Sequence, residues 1–315
     1  MSATLPSLSH DGQGPAAQAG GRRPLLRRGP SSSPRFPRRR APLRRQIPRL
    51  VRHVLLILGA LVSAFPFYWM LVLSTHRSAA IFEFPPPLLP GDRFAENIGT
   101  VLETINVFGA MGNTVVVATS VMVLVLLIDS LAAFAFAKFS FPGKNLLFVV
   151  VMATFMLPAQ LATIPQFLLM TQLGWVGQLQ AVIVPSLAGA FGIFWLRQYF
   201  QGSVTTELLE AATLDGCGFF RQYWHVALPS ARPALAFLGI FTFIGAWNDF
   251  MWPLIVLNNP DQLTLQVALS QLQTAHGTDY GMLMMSALIA VVPLLLVFAI
   301  GAKQFIAGIT EGALK

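Results

Sequence analysis

The stretch NTVVVATSVMVLVLLIDSLAAFAFA, residues 113–137, has one charged side chain, Asp129, in 25 residues. As a helix rising 1.5 Å per residue it is about 37 Å long, enough to cross roughly 30 Å of hydrocarbon. An open strand or a loop would leave backbone N–H and C=O groups facing lipid without partners, so a helix is the form this segment takes. Five further apolar runs lie outward from it, at 52–74, 145–170, 179–199, 233–257 and 282–306. The chain is 55% hydrophobic and 11% charged, far from the roughly 25% charged residues of a soluble domain. The reading is an all-α polytopic membrane protein with six transmembrane helices. Pro158, Pro165 and Pro185 fall inside the third and fourth runs, where helix boundaries are hardest to read.

Basic residues set the orientation. Twelve of the 21 Lys and Arg lie between Arg22 and Arg52, and residues 1–50 also hold eight prolines and almost no aliphatic clusters. Such a segment buries too little apolar surface to offset the entropy of ordering, so a disordered basic cytoplasmic tail is expected over 1–50. Its place directly before a span points to anionic lipid and topology control, not to nucleic acid. It is too long and polar for a cleavable signal peptide. With the N-terminus inside, the pieces 1–51, 138–144, 200–232 and the C-terminal tail, counted with their membrane-end residues, collect 19 basic residues; the outer loops hold Arg77 and Arg93. The positive-inside rule then puts both ends in the cytoplasm. The transmembrane domain is expected over 51–315. The outer loops 75–112 and 258–281 are long enough either to meet an external partner or to pack over the bundle mouth. One cysteine, Cys217, excludes an internal disulfide.

The polar stretch 204–229 lies between the fourth and fifth runs, on the expected cytoplasmic side. Thr205 or Thr206 caps a helix carrying Glu207 and Glu210 in its first turns, where the dipole favours negative charge. Gly216 supplies an elbow. A second short helix over about 218–226 carries Phe219, Phe220, Tyr223 and Trp224, and Pro229 closes it. Without a partner this is an amphipathic pair lying on the membrane surface. The positions Glu210, Ala211, Ala212, Gly216, Val226, Leu228 and Pro229, however, keep the spacing of a known motif. The stretch EAATLDGCGFFRQYWHVALP resembles the EAA loop of bacterial ABC-importer permeases. LAAFAFAKFSFPGK (131–144), FGIFWLRQYF (191–200), TFIGAWNDFMWPLIVLNNP (242–260) and GITEGALK (308–315) are similar to the carbohydrate-importer branch, near the maltose-type second permease subunit.

The resemblance spans roughly 50–315. It implies a MetI-like permease core in spans two to six, a multi-pass place in the bacterial plasma membrane, a second permease subunit, and an external sugar-binding protein. It also implies two ATPase subunits, docked at Glu210, Ala211, Ala212, Asp215, Gly216, Phe219 and Phe220, with Gly308–Lys315 as a second contact. No catalytic or metal-binding residue is expected on this chain. It needs no cofactor of its own, because ATP and Mg bind the partner ATPases. In agreement, no GxxxxGK[ST] occurs; Gly143–Lys144 lacks the upstream glycine.

Asp129 and Asp249 are the charges deepest in the apolar runs. An aspartate near mid-bilayer costs roughly 2.5–3.5 kcal/mol, so each should face the bundle interior or a wet cavity. Trp247, Asn248, Asp249 and Trp252 combine aromatic, amide and carboxylate groups suited to sugar hydroxyls and are translocation-path candidates. Helix packing is the competing role. Asp129 departs from the family pattern, in which a small or mildly polar residue is expected. Two other transport readings are an ion-coupled carrier, which calls for internal repeats that are not evident, and an ABC permease for a non-sugar solute. A membrane enzyme is disfavoured because the five histidines are scattered and HExxH and CxxC are absent.

Overall fold

A computed structural model describes residues 49–272 and 279–313, with side chains over 51–272 and 279–303. The tail expected over 1–50, up to residue 48, lies outside the described residues, as do residues 273–278 of the second long outer loop and the side chains of Gly308–Lys315. Among the described residues every regular element is helical: α1 (Arg49–Leu73), α2 (Phe94–Thr104), α3 (Val107–Lys138), α4 (Lys144–Phe155), α5 (Thr163–Gln172), α6 (Gln180–Ile183), α7 (Ala190–Ser203), α8 (Thr206–Leu214), α9 (Phe219–Gln222), α10 (Leu228–Ser230), α11 (Arg232–Asn248), α12 (Met251–Val256), α13 (Leu265–Ser270) and α14 (Tyr280–Ala313). Three of them, α1, α3 and α14, are long and apolar enough to cross a membrane alone. There are up to six spans if each of three bent pairs counts as one. The pairs are Lys144–Phe155 with Ala159–Gln172 (96°), Gln180–Ser186 with Ala190–Ser203 (41°), and Phe219–Ser230 with Arg232–Asn248 (82°).

Two breaks, the first of these and one between α11 and α12, depart from the sequence reading. The run 145–170 is not one straight helix, because Pro158 cannot donate and disfavours helical geometry in the residue before it. The run 233–257 stops at Asn248 and resumes at Met251, with Asp249 extended at φ −65° and ψ 124°. The Asp249 carboxylate takes the N–H groups of Trp252 and Phe250, so the acid opens a new helix instead of continuing the old one.

Helix α3 organises the bundle. Asn106 caps it by accepting from the Gly109 N–H at 2.9 Å. Its buried residues, Val107, Ala110, Thr114, Val117, Ala118, Val121, Val125, Asp129, Ser130, Ala133 and Phe134, recur every three or four positions and form one inward stripe. That stripe packs chiefly against α7 and α11, while α11 packs on α14. By contrast α4 has no buried residue, and of α1 only Val72 and Leu73 are buried among the described side chains. Their exposed apolar faces suit hydrocarbon.

Two cores result. One surrounds the Val107 half of α3 and includes Trp247, Val256, Leu265, Leu269 and Met285. The long segments beside it are stitched by polar groups. Asn113 donates to the Asp261 and Leu263 carbonyls at 2.9 and 3.0 Å, and the Leu265 N–H donates to Thr114 Oγ1 at 2.7 Å. Buried Asn97 donates to the Ser74 and His76 carbonyls at 2.8 and 3.1 Å. These loop segments therefore pack onto the bundle.

The second core lies at the Lys138 end, around Phe134, Leu196, Phe200, Val204, Tyr223, Ala234 and Leu238. Phe134 is fully buried, with its ring centroid 5.3 Å from Phe139, 5.8 Å from Phe200, 5.4 Å from Phe219 and 6.0 Å from Tyr223. One ring on α3 thus holds α7 and the helix pair that follows α8. Phe134→Ala should remove about 3–5 kcal/mol of stability, read as a lower thermal unfolding midpoint of the purified protein in detergent. Phe148→Ala, on the periphery, should change it far less.

Candidate coupling elbow and membrane cavity

Residues 204–230 form an exposed elbow with a buried root. Thr205 precedes α8 with an extended backbone. The Glu207 carboxyl is held below its ordinary range, first by its own backbone N–H and then by the Thr205 hydroxyl. Thr205 therefore serves the turn through Glu207 and not through a side-chain bond to the helix backbone. At the other end Gly216 sits at φ +75°, its N–H donating to the Thr213 carbonyl at 3.0 Å, while the Cys217 N–H reaches the Ala212 carbonyl at 2.8 Å. These bonds take up carbonyls that the end of α8 would leave open.

The elbow is braced from behind. Gln222 is buried, and its Nε2 donates to Thr213 Oγ1 at 2.9 Å and to the Cys217 carbonyl at 3.0 Å. Tyr223 is buried too, with its hydroxyl 2.7 Å from Ser130 Oγ on α3. Ser130 gives its own proton to the Leu126 carbonyl, so the tyrosine donates. The helix continues past the expected end at 226. A π-helical turn over Tyr223–Ala227 carries it through Pro229 to Ser230, and the break falls at Ala231.

The residues expected at the ATPase dock are therefore split. Glu210, Ala211, Asp215, Gly216 and Phe220 are exposed, Phe220 at 66%. Leu214, expected on the small apolar side of the first elbow helix with Leu208, Ala211 and Ala212, is 89% exposed beside them. Ala212 is buried, and Phe219 turns inward to the aromatic cluster, 4.9 Å from Phe139. The anchoring roles of Gln222 and Tyr223 were missed. Their spacing from Phe219, three and four residues, puts them on the same helix face and was the available signal.

The four translocation-path candidates also separate. Trp247 is buried and donates from Nε1 to the Ala290 carbonyl at 3.2 Å. Trp252 donates to the Ala181 carbonyl at 2.9 Å. Exposed Asn248 bonds back to the Ile244 carbonyl at 2.9 Å. Asp249, half-buried, lines a cavity of about 360 Å³ between α3, α7 and α11, and Asp129 lines it as well. Asp129 is fully buried. Its Oδ1 accepts from the Gly189 N–H, 3.1 Å away, immediately before α7. A helix N-terminus suits a carboxylate there. No group of three or more His, Cys, Asp or Glu able to hold a metal occurs among the described residues.

A helical membrane bundle with a rigid surface elbow and an internal cavity is the architecture of a transport permease. Residues 129–310 match the family described as binding-protein-dependent transport system inner membrane component. The chain is 32% identical over 262 residues to the arabinooligosaccharides transport system permease protein AraQ of Halalkalibacterium halodurans, covering 81% of this chain and 92% of that one. It is 33% identical over 266 residues to the lactose transport system permease protein LacG of Rhizobium radiobacter, covering 84% and 96%. A bacterial ABC transporter involved in the import of the acidic polysaccharide alginate has the same fold, with a TM-score of 0.70 at 24% identity over 82% of this chain and 96% of that chain. The chain belongs to the binding-protein-dependent inner-membrane transport components. It is a permease subunit, and ATP hydrolysis in such systems lies on separate subunits.

At Gly216 an added Cβ meets no atom within 4 Å, so the whole cost of Gly216→Ala is the left-handed backbone, about 1–2 kcal/mol. Local opening of the elbow should rise accordingly, read as faster hydrogen exchange of the Gly216 and Cys217 amides. Gly216→Asn should restore part of the protection.

Proposed function

We propose that this chain is one of two permease subunits that carry a sugar, delivered by an external binding protein, across the bacterial inner membrane. In this reading α1, α3 and α14 are three spans, the bent pairs over 144–172 and 180–203 are two more, and α11 with α12 is the sixth, with both chain ends cytoplasmic. Residues 1–50 are a basic cytoplasmic tail before the transmembrane domain of 51–315. Two ATPases, holding ATP and Mg, dock at the elbow 204–229. The sugar is supported by the names of two relatives, permease proteins of arabinooligosaccharides and lactose transport systems. A relative 31% identical over 85% of this chain, an sn-glycerol-3-phosphate transport system permease protein, favours the second reading, a non-sugar solute.

One observation carries the docking role. Glu210, Leu214 and Phe220 stand exposed on an elbow whose root is locked to α3 through Phe219 and Tyr223. An exposed apolar pair beside a carboxylate fits a groove with a basic rim, and a locked root transmits a push where a loose loop would absorb it. The push would reach Ser130, next to Asp129, and through Asp129 the start of α7. Trp247 and Trp252 serve mainly as packing anchors here, and Asp249 is the candidate that faces solute.

In the reconstituted importer, Glu210→Lys should abolish sugar-stimulated ATP hydrolysis while membrane expression stays normal. Unchanged stimulation would remove the docking role. Tyr223→Phe should keep ATPase binding yet lower the sugar transported per ATP hydrolysed, measured as uptake and phosphate release on the same proteoliposomes.

A further inference from the structure

Arg197 lies on α7 six residues before the helix ends at Ser203, about 9 Å back along its axis. A cation at that level of a membrane bundle is costly unless something meets its charge. Its guanidinium carbon stands 4.1 Å from the centroid of the Phe148 ring, one turn into α4, and a ring face attracts a cation. A ring face accepts none of the five N–H groups, which lie in the guanidinium plane. Nε is buried without an acceptor, while the two terminal nitrogens are neither buried nor bonded among the described residues. No carboxylate pairs with Arg197 among those residues either.

Two lysines flank the same groove. Lys138, at the end of α3, donates to the Gln201 carbonyl at 3.3 Å, one turn along α7 from Arg197. Lys144, the first residue of α4, donates to the Phe139 carbonyl at 2.7 Å. An ammonium carries three protons, so each lysine keeps donors to spare. Glu207 is the carboxylate that acts on Lys138, and it is exposed, so salt screens it. Gly143 opens α4 without a side-chain cap, and the positive end of that helix adds to the same sign. The Phe136 ring, 5.5 Å from Phe148, joins α3 to this platform. Beside the cations α4 is bare: none of its residues is buried, and Leu146, Leu147, Val149 and Val150 are exposed.

We infer that the groove between the start of α4 and the end of α7 binds the headgroup of one anionic phospholipid, with the phosphodiester on Arg197 and Lys144 and the acyl chains along α4. The guanidinium fork takes two phosphate oxygens at once. The level is right, because the headgroup region is roughly 5–7 Å thick on each side of the hydrocarbon, the depth from the first residue of α4 to Phe148. A soluble partner does not reach between acyl chains, and a carboxylate on another membrane helix is itself costly there. A choline headgroup brings a further cation to three that are already present, whereas a phosphatidylglycerol headgroup brings none. Because α4 packs on the bundle chiefly through α7, the bound phosphate clamps the two helices together. The inference needs the membrane setting and neither the sugar nor the docking role proposed above.

The test uses the complete importer in vesicles, with Leu147→Cys on a Cys217→Ser background and a bimane on the new thiol. Phosphatidylcholine vesicles receive a minor fraction of either phosphatidylglycerol or phosphatidylcholine with brominated acyl chains, and bromine quenches the bimane on contact. Brominated phosphatidylglycerol should quench several-fold more strongly. Arg197→Gln should lower that preference roughly fivefold, the loss expected for one cation near the membrane surface, and Arg197→Lys, which keeps the charge without the fork, should lower it less. A bimane at Leu168→Cys, on an exposed position of α5, should show no preference.

Equal quenching by the two lipids at residue 147 overturns the site. A preference that survives Arg197→Gln also overturns it, since general surface charge then accounts for the effect. A preference present in this subunit alone and absent from the complete importer means that a partner carboxylate holds Arg197, and it overturns the lipid as occupant. Inorganic phosphate at constant ionic strength should leave the preference intact; if it abolishes it, the occupant is a free anion and the lipid assignment fails. If Arg197→Gln does not assemble, Lys144→Gln decides: it should lower the preference two- to threefold, and no change there overturns the site.

Discussion

The packing of Phe134 is the contact on which the rest of this molecule depends. Its ring lies among Phe139, Phe200, Phe219 and Tyr223, so α3, α7 and the helix pair of the elbow share one immobile point. Aromatic rings meeting edge-on and tilted gain from area and from ring electrostatics. In a bilayer, where lipid tails are as apolar as leucine, close packing of this kind is the main source of association between helices. The Tyr223–Ser130 hydrogen bond adds direction to that packing, because it fixes how the elbow root is turned against α3.

From that point two properties follow that look opposed. The elbow tip is exposed and polar enough to meet a soluble partner, while its root is as buried as any part of the bundle. A coupling element needs both: an exposed tip alone would flex, and a buried root alone would meet nothing. Gly216, at φ +75°, ends α8 between the two, and Gln222 ties the turn back to the preceding helix. One turn further along α3 the same rigidity reaches Asp129 and the start of α7, so the elbow and the cavity wall share a helix.

Much of this was legible beforehand. The length of the apolar runs and the Glu210 to Pro229 spacing follow from local rules that hold whatever the neighbours are, whereas the inward stripe of α3, apolar on all sides, shows only in the packed bundle. The family, the inner-membrane setting and the place of the elbow between two apolar runs were readable for that reason. The breaks were less so. Pro158 announced one, but the stop at Asn248 depends on Asp249 bonding forward to the next backbone groups. An aspartate in an apolar run does not declare that choice. The roles of Trp247 and Trp252 were hidden for the same reason. An indole N–H beside a polar pair reads as a binding group until its carbonyl partner, on Ala290 or Ala181, is seen.

The amino-acid order by itself determined the class of the protein and the position of its coupling segment, because hydrocarbon thickness and backbone hydrogen bonding leave an apolar 25-residue run only one form. Tertiary structure alone decided which polar side chains are spent on packing and which remain open. Asp129 shows the difference. In the sequence it is an unexplained acid in a span, since the Gly189 N–H that it accepts and the Gly192 backbone that its Oδ2 packs against lie 60 residues or more away in the chain. Whether a charge is satisfied depends on what folds against it, and that is settled only when the helices meet.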